Sequence, residues 1–188
     1  MNDDQTDAGG AESPGGHREI EVRLDDQVGD EPDPERWRRL VLDTLRREEV
    51  TGGSLDVLFV DAATIADLNA EHLGKDGPTD VLSFPLDDPN DVEDPVFGFE
   101  PPHLGDVVLC REVAIAQAPG HAGSVDAELT LLLVHGVLHI LGHDHAEDDE
   151  RETMQARERV HLTAAGYEHP VPAASPASDL APVEESAD

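Results

Sequence analysis

Two hydrophobic periods alternate along the chain once its ends are set aside. Glu19-Ile-Glu-Val-Arg-Leu24 is apolar at every second position, the pattern of a half-buried strand. Asp33-Pro34 supplies a side-chain cap and a proline at the first helical position. Trp37, Leu40, Val41 and Leu45 follow at helical spacing and predict a helix to about Glu49, broken by Gly52-Gly53. Leu55–Val60 predicts a second strand, and Asp61 caps a helix carrying Ile65, Leu68 and His72. A loop over Gly74–Pro78 leads to a third strand, Val81–Phe84. Residues 86–103 are crowded with Asp and Pro and predict a long irregular loop, often a functional feature in a compact domain. Val107–Cys110 predicts a fourth strand. Helices near 111–118, from Val125 to Leu141 and from Glu147 to Ala165 complete the pattern. The class expected is α+β: a small mixed four-stranded sheet covered by about five helices.

The ends change the picture little. Residues 1–17 are rich in Gly, Asp, Ser and Pro, and 167–188 in Pro, Ala and acids; both read as disordered tails around one domain over 18–166. The length of 188 residues suits that single domain. No stretch approaches the roughly 20 apolar residues of a membrane helix, and the first residues have neither a basic n-region nor an apolar h-region. Cys110 is the single cysteine, in an apolar run where burial is expected, and it allows no intramolecular disulfide. A cytoplasmic protein without a membrane partner is expected.

Charge narrows the partners. Asp and Glu number 43 against 12 Lys and Arg, for a net charge of -31, and Lys75 is the only lysine. A general basic surface for nucleic acid is thereby excluded, and DNA is not an expected partner. RNA, if bound, must be met by a local basic patch, by a metal or by the ribosome.

The chemistry concentrates in His135-Gly-Val-Leu-His139-Ile-Leu-Gly142-His143-Asp144-His145. Two histidines four apart project from one helix face, one turn apart, and both can reach a metal. Gly142 suits a left-handed helix end, after which the chain can return His145 to the same ion. The spacing His-x3-His-x5-His is that of metzincin zinc sites. Three neutral imidazoles leave a fourth position for water, as catalytic zinc sites do, so one Zn2+ at His135, His139 and His145 is expected. His143 falls between the ligands and points elsewhere, and Asp144 is either an acceptor for a ligand imidazole or a cap. The glutamate base that metzincin peptidases place after the first histidine is Gly136 here.

Three blocks resemble the bacterial YbeY family of endoribonucleases and rRNA maturation factors: the histidine segment; Leu68-Asn69 with Gly77-Pro-Thr-Asp80-Val-Leu-Ser83-Phe84-Pro85; and Leu104-Gly105-Asp106-Val-Val-Leu-Cys110-Arg111. In order and spacing the resemblance covers about residues 18–166. It implies a zinc-dependent, single-strand-specific endoribonuclease in 16S rRNA 3′-end maturation and ribosome quality control. Implied partners are rRNA and the small ribosomal subunit, a small-subunit ribosomal protein and an assembly GTPase. Many relatives carry an arginine where this chain has Leu73. Arg111, Asp80 and Asp106 are the candidate catalytic residues; Asp80 and Asp106 read equally as turn formers at strand starts, Arg111 as a surface cap, and no general base is assigned. Alternatives are a ribosome-assembly factor with structural zinc, and a metallopeptidase or amidohydrolase lacking the usual base.

Overall fold

The computed structural model describes residues 19–31, 33–86 and 102–170. The expectations for 1–17, for 171–188 and for the loop over 87–101 lie outside the described residues.

Four strands, β1 (Ile20–Asp26), β2 (Gly53–Phe59), β3 (Val81–Pro85) and β4 (His103–Leu109), form one sheet in the order β1-β2-β4-β3. β2 runs parallel to both β1 and β4, and β3 antiparallel to β4, so the sheet is mixed as expected. β4 starts at His103 rather than Val107, because His103, Gly105 and Asp106 interrupt the apolar pattern that marks its second half. Asp106 therefore lies within a strand, opposite Asp56 of β2 and Phe84 of β3, and its reading as a turn former at the strand start is corrected.

The helices are α1 (Pro34–Arg47), α2 (Ala62–Leu73), α3 (Arg111–Gln117), α4 (Val125–Ile140) and α5 (Asp148–Ala165). The Asp33 and Asp61 carboxylates accept from the backbone N–H of Arg36 and Thr64, as the sequence anticipates. α1 stops two residues before Glu49, which takes a left-handed conformation (φ 62°) ahead of the glycines.

One sheet face, with Leu55, Val57, Val107 and Leu109, packs on Trp37, Val41 and Leu45 of α1 and Leu133 and Val137 of α4. The opposite face buries Leu82 and Val108 with Ile65 of α2. α5 lies on the outer side of α4, its Met154 buried against Val134 and Leu138. Each such side chain contributes about 1.5–3 kcal/mol of burial. α4 is apolar nearly all round because sheet and helix enclose it. Among the described residues, no single helix is long and apolar enough to cross a membrane. Beyond the expected boundary at 166, Tyr167 accepts a hydrogen bond from Arg36 (2.6 Å) and His169 meets Glu158 (2.7 Å), so contacts with the domain run past that point.

Candidate metal centre

His135 and His139 occupy successive turns of α4 with ring centroids 4.5 Å apart and their Nε2 atoms 3.1 Å apart. α4 then ends as expected. Gly142 adopts φ +85°, and the N–H groups of Gly142 and His143 donate back to the carbonyls of His139 and Leu138. That reversal brings the His145 ring to 5.0 Å from His139 and 5.4 Å from His135. The ligand atoms of all three lie within 4.8 Å of one another. A tetrahedral zinc with bonds of about 2.0–2.1 Å separates its nitrogens by about 3.3 Å, near the His135–His139 spacing. The residues present fit the ion.

The surroundings prepare these rings as ligands. His135 Nδ1 donates to Glu158 Oε1 at 2.7 Å, which leaves the Nε2 lone pair toward its neighbours. His169 Nε2 meets the other Glu158 oxygen at 2.7 Å. Burial alone would raise the Glu158 carboxyl, but hydrogen bonds from His135 and His169 hold it below its ordinary value. Burial, then the charges of His135 and His145, push His139 down to about 4, so it is neutral and free to bind a metal at pH 7.

Gly136 has a steric reason. A Cβ there would lie 2.7 Å from Val107 Cγ1 and 3.2 Å from Ser83 Oγ. The position faces the sheet, and Ser83 Oγ donates to the Gly136 carbonyl at 3.2 Å. A glutamate base at 136 has no space, and the close seating of α4 depends on that lack.

His135 and His145 line a cleft of about 330 Å³ between β3, α4 and α5, with His139 behind them. Asp80, the residue before β3, lines it, while its Oδ1 accepts from Thr79 Oγ1 (3.0 Å) and the Val81 N–H (2.8 Å). Arg111 is not among the cleft residues; it sits beside Asp30 (3.5 Å) and Glu31 (3.4 Å). Asp106 lies on the sheet face away from α4, bound to His103 at 2.9 Å. Leu73 ends α2 exposed and does not line the cleft. His143 points away from the triad toward Glu48 (3.7 Å); Asp144 Oδ1 accepts from the adjacent His145 backbone N–H (2.7 Å), while the cap of α5 is Glu147. Sequence reasoning missed Glu158, His169 and Arg151. Arg151 is the only Arg or Lys among the described cleft residues, held by Asp148 (2.6 Å) and the His145 carbonyl (3.4 Å).

The family described as Endoribonuclease YbeY matches residues 19–166. A protein named endoribonuclease YbeY from Salinispora tropica is 52% identical over 106 residues, 54% of this chain and 68% of its own length. The solution structure of TM1509 from Thermotoga maritima aligns with TM-score 0.50 at 23% identity, covering 77% of this chain and 91% of that one; the likeness is one of fold.

Proposed function

The chain belongs to the YbeY family of endoribonucleases, and we propose that its histidine cleft cuts single-stranded RNA using one zinc ion held by His135, His139 and His145. As a family member it is a hydrolase acting on the phosphodiester bonds of RNA. The substrate proposed is the 3′ end of 16S rRNA, in maturation and ribosome quality control in the cytoplasm. There it would meet the small ribosomal subunit, with a small-subunit ribosomal protein and an assembly GTPase as partners.

The observation behind the zinc reading is the convergence of three imidazoles, one fixed by a buried carboxylate, at the head of an open cleft. A zinc ion held by these three rings would supply Lewis acidity to the reaction. Glu158 orients His135 through Nδ1, and His139 stays neutral at working pH. Arg151 offers a fixed positive charge to a phosphate oxygen. Asp80 is the cleft carboxylate not engaged by a histidine and is the candidate to take the proton of the attacking water. A peptidase base at position 136 is precluded by Val107.

The test is cleavage of an end-labelled single-stranded 16S rRNA 3′ fragment by the protein as isolated, after chelation, and as folded His139→Ala. Activity confined to the first sample, restored to the second by zinc, is expected. Equal cutting by all three would refute it, whereas stoichiometric zinc with no cutting would favour the assembly-factor reading.

A further inference from the structure

The basic residues of this acidic chain are not scattered. α1 holds Arg36, Arg38, Arg39, Arg46 and Arg47 against only Glu35 and Asp43, in a chain with 12 basic residues and a net charge of -31. Arg36, Arg39 and Arg47 lie along one side of the helix, with Asp43 as the single carboxylate among them, and line a groove of about 270 Å³ between α1 and the end of α5, faced by Thr130, Ala165 and Tyr167. At 1.5 Å per residue they span about 16 Å. Their pairing is uneven. Arg36 is engaged by Asp126 (2.8 Å), Arg38 by Glu35 (2.9 Å) and Arg46 by Asp43 (3.7 Å), while exposed Arg39 and Arg47 form no ion pair among the described residues.

We infer that this arginine stripe is the docking track for the RNA strand, outside the cleft that cuts it. The inference rests on the nuclease reading for the identity of its ligand. A polyanion approaching a surface of this net charge is repelled except where positive charge is locally in excess. Guanidinium groups pair with phosphate oxygens through two parallel hydrogen bonds, and an elongated row matches a strand of repeating phosphates. The track also leads to the cleft. Glu48, the residue after α1, accepts from His161 at 2.7 Å and lies 3.7 Å from His143, two residues before His145. The end of the stripe thus abuts the loop that carries the third histidine.

The test uses the full zinc-loaded chain with Arg39→Glu, Arg47→Glu and, as control, Arg38→Glu. Position 38 carries the same charge on the same helix but does not line the groove. Binding of a fluorescent single-stranded 20-nucleotide RNA is followed by anisotropy across salt concentrations, and cleavage is followed on that RNA and on a pentamer. Arg39→Glu and Arg47→Glu should each weaken binding about tenfold and flatten the log K against log salt slope by about 0.7 per lost phosphate contact. KM for the 20-mer should rise with kcat unchanged, and pentamer cleavage should not change. Arg38→Glu should stay within about twofold of the parent on the same scale. Equal effects from all three reversals, or a glutamate-rich peptide binding the parent as tightly as RNA does, would overturn the inference. A parent that binds RNA through these residues yet cuts nothing refutes the nuclease reading and leaves the track standing. A parent that cuts, with all reversals silent, does the opposite.

Discussion

Replacing Glu158 by glutamine tests the link between α5 and the metal centre. The carboxylate is 5% exposed and receives 2.7 Å hydrogen bonds from His135 Nδ1 and His169 Nε2. Glutamine keeps the shape and one acceptor oxygen but removes the charge. A hydrogen bond to a charged acceptor contributes about 1.5–3 kcal/mol against about 0.5–1.5 for a neutral one, so the His135 contact weakens by about 1–1.5 kcal/mol. That predicts a roughly tenfold loss of zinc affinity, toward the low end of the 10–100-fold range for lost outer-sphere carboxylates. Glu158→Ala, which also frees the ring to rotate, should approach the upper end. His169→Ala should lose less, because its hydrogen bond is to Glu158 rather than to a ligand ring. Zinc affinity is read by competition with a chromogenic chelator at pH 7.5, with circular dichroism confirming that each variant is folded. Zinc binding by Glu158→Gln within twofold of the parent would refute the idea that this carboxylate sets the His135 tautomer. The same group has a pH signature. Its carboxyl is held below the ordinary glutamate value of about 4.3. Its contribution to stability is therefore complete above that value and is lost as pH falls through the lower folded value.

Other perturbations separate packing from chemistry. Gly136→Ala should lose about 1–2 kcal/mol in urea unfolding: alanine gains about 1 kcal/mol of helix propensity, but the Val107 contact at 2.7 Å outweighs it, and a net gain would show that α4 can shift freely. The metal-free protein should lose thermal stability as pH falls from about 6.5 toward about 4, because the unfolded chain takes up a proton on His139 that the folded chain refuses; a melting temperature flat across that range would contradict the burial assigned to His139. Arg151→Gln should reduce kcat/KM for RNA about 10–100-fold with zinc content unchanged, partly restored by lysine; full activity would remove Arg151 from the phosphate site. Asp61→Ala should cost about 1 kcal/mol through the lost cap on α2 and leave RNA cleavage unaltered.

What the sequence makes legible here is what one element encodes by itself. Asp33 and Asp61 announce helix starts because a cap is a contact across three residues. The Leu68-Asn69 and Gly77-Pro-Thr-Asp80 blocks are readable as motifs, but the reason joins them in space: buried Asn69 donates to the Gly77 carbonyl at 2.9 Å and ties α2 to the loop before β3. The first half of β4 escapes periodicity because polar His103 and Asp106 sit on the less covered sheet face and Gly105 interrupts the alternation.

The same distinction divides the site. His135, His139 and His145 lie within eleven residues and answer to helix geometry plus one glycine turn, so their convergence follows from local rules. Glu158 reaches His135 from 23 residues away and is itself met by His169 from 11 residues further on, and in α5 a glutamate among Asp148, Asp149, Glu150 and Glu152 looks like any solvated charge. A signal does exist in the apolar stripe of that helix. Met154, Glu158 and Leu162 recur every four residues and all are buried. A carboxylate on a buried stripe costs several kcal/mol unless hydrogen-bonded donors meet it. A glutamate placed where periodicity calls for a leucine therefore demands a donor across the interface. The apolar face of α4, which α5 must cover, is interrupted by histidine at His135, so the donor that Glu158 requires is marked in the sequence by the same periodicity.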